Sequence, residues 1–192
     1  MKWLSIIVAA VLGLVVGAGA GLATLAQART MGATAAGAWT TNLYTGAPAA
    51  DPFTRAIVAR VGLLALNKSE TVYYTRTVDD SGAALNAACA YEVSGTPPPA
   101  RWWSITIYAA DNYLPVNSDA AFSVDATTIK TEPDATFRTR VAQTRNGAEN
   151  WISSRNAGRF DLMLRLYNPD PALSANLAKA KLPAIRKLSC TP

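Results

Sequence analysis

The chain has 192 residues, a formal net charge of +5 and no histidine. A chain of this length holds one domain and a short appendage, and its scattered Lys and Arg residues indicate a solvated positive surface, so we expect no nucleic-acid partner. With no histidine and only two cysteines, the sequence excludes Ser-His-Asp and Cys-His nucleophiles, histidine-ligated zinc and cysteine-rich metal sites, and we expect no cofactor.

The N-terminal segment is predicted to be a membrane helix. From Trp3 to Ala28 the chain has 26 residues without a charge. As a helix this segment would be roughly 39 Å long, against about 30 Å for the hydrocarbon core of a bilayer. We therefore predict that residues 1–28 form a retained, single-pass anchor in the inner membrane. The alternative is a signal peptide cleaved near Ala28, because Ala26-Gln27-Ala28 fits a small-x-small cleavage site. Both interpretations place the rest of the chain outside the cytoplasm, on the periplasmic side.

The next segment, residues 29–50, is rich in Ala, Gly and Thr and is interpreted as a linker that becomes partly ordered against the domain. For its Trp39, the lipid interface is the alternative position. Asp51-Pro52 predicts the start of a helix, with Asp as the N-cap and Pro at the first helical position. Asn67 is its predicted end. Four apolar residues recur at helical spacing and are predicted to face the core: Phe53, Ile57, Val61 and Leu64.

From Thr71 onward the apolar period changes from 3.6 to 2, which is typical of strands. Thr71–Val78 and Leu85–Val93 flank an Asp-Asp-Ser-Gly turn and predict an antiparallel hairpin. Alternating or β-branched runs predict four further strands at Trp102–Tyr108, Ala121–Val124, Phe137–Ala142 and Phe160–Tyr167. A short helix around Ala172–Ala178 and an extended tail to Cys190 complete the predicted elements.

Six or more short strands with few helices predict that residues 51–192 form an antiparallel β-sandwich, with one or two short helices in addition to the N-terminal one. The two cysteines, Cys89 and Cys190, are about a hundred residues apart. In an oxidising compartment we predict that they form a disulfide that joins a mid-domain strand to the C-terminus, the alternative being two free thiols.

Three blocks of sequence carry a family resemblance. They are Trp103–Tyr108 followed by Asn117, then Asn150-Trp151, and then Phe160–Tyr167 with Pro169. Together they resemble the family called domain of unknown function 1214, over roughly Glu70 to Pro171, and the chain looks like a short, membrane-anchored member. The resemblance implies a jelly-roll-like β fold, often seen after a second domain that this chain lacks. It implies no agreed activity.

Seven residues are candidates for a ligand-binding face: Trp102, Tyr108, Asn117, Asn150, Trp151, Arg165 and Tyr167. The aromatic members would either stack on sugar rings or simply pack in the sheets. Asn150-Trp151 has the alternative role of a strand-entry corner. Arg165 lies in an apolar strand, where it would point to solvent, pair with Asp161 or Glu92, or bind an anion.

Two functions remain open at this level, beside a third possibility, a subunit of a larger membrane complex, which the small-residue stripe of Gly13, Gly17 and Gly21 suggests. The first is a non-catalytic binding or scaffolding module of the cell envelope, with the membrane and an envelope protein or polysaccharide as partners. The alternative is a carbohydrate-active enzyme that combines an aromatic groove with two carboxylates at a set distance. Its candidate carboxylates are Glu92, Asp111, Glu132 and Glu149.

Overall fold

A computed structural model describes residues 2–27, 33–42, 44–60 and 65–190. It confirms the predicted mainly β fold, a sandwich of two sheets with an apolar N-terminal helix and short additional helices. In chain order the helices of the described residues are α1 (Lys2–Gln27), α2 (Pro52–Arg60) and α3 (Pro171–Ala175), with a 3₁₀ turn at Leu177–Lys179. The ten strands described are β1 (Ala33–Ala36), β2 (Trp39–Asn42), β3 (Thr71–Arg76), β4 (Cys89–Gly95), β5 (Ala100–Ala109), β6 (Ser123–Asp125), β7 (Phe137–Ala142), β8 (Trp151–Ser153), β9 (Phe160–Pro169) and β10 (Ala184–Cys190).

Helix α1 is long and apolar enough to cross a membrane. Within it, Trp3–Thr24 has a mean hydropathy of 2.5, and none of it is buried against the rest of the protein. A cleavable signal sequence has the same properties, so the helix fits either an anchor or a signal. The alternative cleavage position at Ala28 lies outside the described residues.

The strands form a six-stranded sheet in the order β1-β2-β3-β9-β5-β6 and a four-stranded sheet in the order β10-β4-β7-β8. All paired neighbours are antiparallel except β7 and β8, which run parallel. The predicted hairpin of the strands near Thr71 and Leu85 is wrong, because β3 and β4 belong to different sheets. Each strand has an apolar face to bury. Both apolar faces are buried because the two strands line opposite sides of the core. The residues that connect the strands cross from one sheet to the other, and Leu85 in this connection is buried.

The core lies between the two sheets. On β9, Leu162, Leu164 and Leu166 have no exposed surface, while the residues between them are only half-buried. Two aromatic pairs connect the sheets: Trp103 stacks on Phe137 at 5.1 Å, and Tyr91 meets Phe160 edge-on at 5.9 Å between ring centroids. Aromatic pairs of this geometry add to the area that they bury, so they help to hold the two sheets in register.

The predicted linker is more fully ordered than expected. Strands β1 and β2 form a hairpin that extends the six-stranded sheet beyond β3. Trp39 is 1% exposed, and its indole N–H donates to the carbonyl oxygen of Pro183 at 2.8 Å. Its position at a lipid interface, the alternative considered from the sequence, is therefore wrong. Residues 29–32 lie outside the described part of the chain.

Helix α2 begins as predicted but packs differently. The Asp51 carboxylate accepts the backbone N–H groups of Phe53 and Thr54 and the Thr54 hydroxyl. Phe53 is 47% exposed and Ile57 only half-buried, so the predicted core-facing stripe does not reach the core. The two sheets already close that core, and the helix lies outside it. Val61 and Leu64 lie outside the described residues.

The C-terminal segment, predicted as an extended tail, is strand β10, and it pairs with β4. Ile185 on this strand is fully buried. The predicted disulfide is confirmed: Cys89 and Cys190 face each other across β4 and β10 and are bonded, with 101 residues of separation. The bond fixes the last strand to the edge of the four-stranded sheet.

We expect Cys89→Ser to lower the free energy of unfolding by about 4 kcal/mol, because it releases a loop of about a hundred residues in the unfolded chain. Denaturant titration of the full-length protein with and without reductant measures this. Reductant should destabilise the wild type and leave the Cys89→Ser variant unchanged. Equal stability of the two proteins under oxidising conditions would contradict the assignment.

A turn after β3 connects the two sheets at one end. Asp79 is buried, and one of its carboxylate oxygens accepts hydrogen bonds from the Ser81 hydroxyl and from the N–H groups of Ser81 and Ala83. Burial opposes its ionisation, but these hydrogen bonds and the nearby Lys187 outweigh it and hold the pKa of Asp79 below 3.8. Beside it, Asp80 exchanges two hydrogen bonds with Ile185 of β10.

We expect the protein to lose stability in acid partly through Asp79. Since its pKa is lower in the folded state than in the unfolded chain, its contribution is complete above about pH 4 and disappears as the pH falls through the folded-state pKa. Asp79→Asn should therefore destabilise the protein at about pH 6 and reduce the further loss between about pH 6 and pH 3. Denaturant unfolding at both pH values measures this, with the exposed Glu70→Gln as control. An unchanged acid dependence in Asp79→Asn would refute it.

Candidate functional site

The alternation of β9 that builds the core also builds the outer face of the six-stranded sheet. Asp161, Met163, Arg165 and Tyr167 all point away from the leucines. Strand β9 lies between β3 and β5, so these side chains form the middle of the outer face. Three cross-strand rows result: Thr71–Tyr167–Trp102, Tyr73–Arg165–Ser104 and Thr75–Met163–Thr106.

This outer face is covered in part, which leaves a groove of about 850 Å³. Helix α2 forms one wall, the loop at residues 112–114 forms another, and Thr45 and Leu66 lie at a third side. The loop that carries Thr45 passes close to Leu66 because it has Gly46 at φ 71°, where an added Cβ would lie 2.1 Å from the Leu66 carbonyl oxygen. A groove of this size suits a small ligand. We call it the outer groove; it is lined by Ala33, Thr40, Thr41, Asn42, Thr45, Thr54, Ile57, Val58, Leu66, Tyr73, Thr75, Thr77, Trp102, Ser104, Tyr108, Asn112, Tyr113, Leu114, Asp161, Met163, Arg165 and Tyr167.

Arg165 lies at the centre of this floor and is held by hydroxyl groups. Its guanidinium donates to Thr106 Oγ1 at 3.1 Å and to Tyr108 Oη at 2.5 Å, and lies 5.4 Å from the centroid of the Tyr108 ring. Glu92, one of its two predicted partners, is in the four-stranded sheet, where it pairs with Arg138 and Arg186. The floor therefore has a positive, planar donor group in a fixed orientation.

Two predicted aromatic residues lie together at one end of the outer groove. Trp102 and Tyr167 occupy the same cross-strand row, and their rings meet at 65° with 5.3 Å between centroids. The Trp102 indole N–H donates to the Thr127 hydroxyl at 3.0 Å. Both residues are half-buried, so part of each ring faces the groove. Four of the seven predicted ligand residues, namely Trp102, Tyr108, Arg165 and Tyr167, thus line one site.

The structure does not bring the other three predicted residues to this groove. The Asn150 side chain accepts from the Lys130 N–H and donates to the carbonyl oxygens of Lys130 and Arg138. Trp151 donates its indole N–H to the Ala142 carbonyl oxygen, and Asn117 donates to that of Arg155. These contacts hold loops and strand ends, which for Asn150-Trp151 agrees with the alternative role of a strand-entry corner.

The carboxylates considered for catalysis do not line the outer groove in the part of the chain that the structure describes. Glu92 is held in the other sheet, and Asp111 accepts the backbone N–H of Tyr113 in a turn. The acidic side chain that does line the groove is Asp161. It is not one of the candidate carboxylates named from the sequence for a catalytic pair. No group of three or more metal-ligating side chains occurs among the described residues.

Sequence reasoning missed the walls of the site. Helix α2 contributes Thr54, Ile57 and Val58, and the 112–114 loop contributes Tyr113, which is 74% exposed, and Leu114, which is 43% exposed. A Tyr-Leu pair directly after an Asp-Asn turn was the available signal, because adjacent exposed apolar residues form a patch and such patches often mark binding sites.

We expect Asn150→Ala to lower the free energy of unfolding by about 3 kcal/mol, because it removes three hydrogen bonds of a buried side chain and leaves backbone groups unsatisfied. The matched control, Asn117→Ala, should cost about 1 kcal/mol or less, since it removes two hydrogen bonds of a side chain that is only half-buried. Thermal and denaturant unfolding of the two variants measure the difference. Equal losses would contradict the structural role of Asn150.

Comparison with known proteins agrees with this fold. The sequence profile described as "Protein of unknown function (DUF1214)" matches residues 70–171, which is more than half of the 192 residues. The chain superimposes on a crystal structure of the VPA0106 protein from Vibrio parahaemolyticus with a TM-score of 0.59 and 22% identity, covering 73% of this chain and 36% of that one. For an uncharacterised protein from Burkholderia cenocepacia the TM-score is 0.44 and the identity 17%, covering 62% of this chain and 30% of that one.

The chain thus spans only about a third of the length of these two structures. At such low identity the similarity to VPA0106 supports the fold alone. No protein with curated annotation matches the sequence.

Proposed function

The chain belongs to the DUF1214 family of proteins of unknown function, and from its own geometry we propose that it is a non-catalytic binding module of the cell envelope. In this proposal α1 anchors it in the inner membrane as a single span, the β-sandwich lies on the periplasmic side, and the outer groove holds the ligand. A membrane and an envelope protein or polysaccharide are its partners.

The outer groove is the observation that carries the binding role. The side chains on the outer face of a sandwich sheet ordinarily meet water. Here that face is partly covered, and Ser104 and Tyr73 on the groove floor are at most 9% exposed. Placing polar side chains in a covered apolar surrounding costs free energy unless their hydrogen bonds are satisfied. A ligand site gives a reason for this arrangement.

Two features support the location. Disulfides persist in oxidising compartments outside the cytoplasm, and Cys89 is bonded to Cys190. The Trp3–Thr24 part of helix α1 is not buried against the rest of the protein, and soluble proteins rarely expose so large an apolar area. A signal peptide cleaved near Ala28 is the alternative for the helix, and it leads to the same side of the membrane.

Native mass spectrometry of the full-length protein, purified from the membrane fraction of its own cells, tests the proposal. We expect an intact mass that includes α1 and an additional bound mass that is lost in Val58→Asp, because this substitution places a charge in the α2 wall of the groove. Ala59→Asp is the matched control: Ala59 is exposed on the same helix and does not line the groove, so this variant should keep the bound mass.

Two results would overturn the proposal. One is intact protein in the cytosol with its N-terminal segment uncut. The other is the same bound mass, or none, in wild type and both variants. A chain that begins near residue 29 and still carries the groove-dependent mass would replace the anchor by a cleaved signal and leave the binding role standing.

A further inference from the structure

We infer that the ligand of the outer groove is a neutral oligosaccharide, which the protein binds without cleaving. This inference rests on the proposed function, since it names the chemical class that would occupy the same groove. Three properties of the described lining carry it: the balance of charge, the number of hydroxyl groups and the position of the aromatic rings.

The described lining of the outer groove has no net charge. Among the described residues that line it, Arg165 and Asp161 are the charged ones, and both are on β9. They are four residues apart on the same face, so about 13 Å of strand separates their backbone positions. An anionic ligand would gain at Arg165 and lose at Asp161, and a cationic one the reverse. A neutral ligand with both donors and acceptors can use the two groups together.

Hydroxyl groups are the most frequent polar groups in the rest of the lining. Each hydroxyl both donates and accepts hydrogen bonds, and two side-chain amides add further donors and acceptors. A sugar has the same alternation, with several hydroxyls spaced around each ring. The residues concerned are Thr40, Thr41, Thr45, Thr54, Thr75, Thr77 and Ser104 among the hydroxyls, and Asn42 and Asn112 among the amides.

Aromatic rings lie at both ends of this polar floor. Trp102 and Tyr167 form a pair at one end of β9. Tyr108 is opposite Asp161 near the other end of that strand, and Tyr113 also lines the groove. An aromatic ring offers a large apolar surface with a polar atom at its edge. This suits a pyranose ring, whose axial C–H groups form an apolar face and whose hydroxyls lie around the rim. A cavity of about 850 Å³ has room for more than one such ring.

The lining does not supply the groups for hydrolysis. Glycosidases of the common kind use two carboxylates on either side of the scissile bond, about 5–10 Å apart. Asp161 is the single carboxylate among the described lining residues. The hydroxyl groups of the floor can therefore bind a sugar. Because the described lining has no second carboxylate, we expect the glycosidic bonds of the bound sugar to stay intact.

Saturation-transfer NMR tests the inference on the full-length protein in nanodiscs, with empty nanodiscs as the blank. The probes are three tetrasaccharides, namely cellotetraose, maltotetraose and chitotetraose, and dodecanoate as an amphiphile. We expect transfer to the ring protons of at least one sugar, no transfer to dodecanoate above the blank, and a sugar that stays intact on prolonged incubation.

Variants place the sugar in the groove. Arg165→Gln and Trp102→Ala should each weaken binding about tenfold, the cost of one strong hydrogen bond or one stacking contact. The control is Arg101→Gln, which removes a positive charge from the exposed residue directly before Trp102. This variant should bind the sugar as the wild type does. Circular dichroism melting confirms folding, and Val58→Asp on the separate helix α2 provides a third groove variant if either floor variant unfolds.

Three results would overturn the inference: no transfer to any of the three sugars, binding of dodecanoate in their place, or sugar binding that all groove variants retain. Release of shorter sugars would overturn the statement that the ligand is not cleaved. If the sugars fail while native mass spectrometry still shows a groove-dependent bound mass, the ligand class is wrong and the binding module stands.

Discussion

The alternation of side chains along β9 is the constraint on which the rest of this protein depends. The strand lies between β3 and β5, so it has no free edge, and its leucines at 162, 164 and 166 are completely removed from water. A shift of one residue in its register would move those leucines outward and Arg165 into the core, at a cost of several kcal/mol for the buried charge alone. The register is therefore fixed, and the contents of both faces follow from it.

The outer groove is a consequence of that register and of what covers the sheet. The same pairing that buries Leu164 aligns Arg165 with Tyr73 and Ser104 on the opposite face. Helix α2 lies over the outer face, where Thr54, Ile57 and Val58 line the groove. Phe53 is half-exposed and no described residue of α2 belongs to the core cluster, so the helix adds a wall to the groove without adding a side chain to the core.

Much of the fold could be predicted from the sequence because its signals are local. Strong period-two runs gave the positions of β5, β7 and β9, and Asp51-Pro52 gave the start of α2, whose cap needs only residues three positions away. The disulfide was predictable from cysteine count and compartment. The hairpin failed because β-sandwich strands that follow one another in the chain can belong to different sheets, and no local pattern records which. How far residues 29–50 are ordered could not be predicted locally, because the indole N–H of Trp39 donates to the carbonyl oxygen of Pro183, 144 residues away.

The candidate site divides in the same way. By itself the sequence determined that Trp102, Tyr108, Arg165 and Tyr167 lie on strands with their apolar neighbours pointing the other way, since alternation is a property of consecutive residues. Only the tertiary structure decided that these four share one face, that Asn117, Asn150 and Trp151 hold loops elsewhere, and that α2 and the 112–114 loop close a groove over them. The physical reason is that strand order, sheet pairing and helix docking depend on contacts between residues far apart in the chain, whose energies no local pattern expresses.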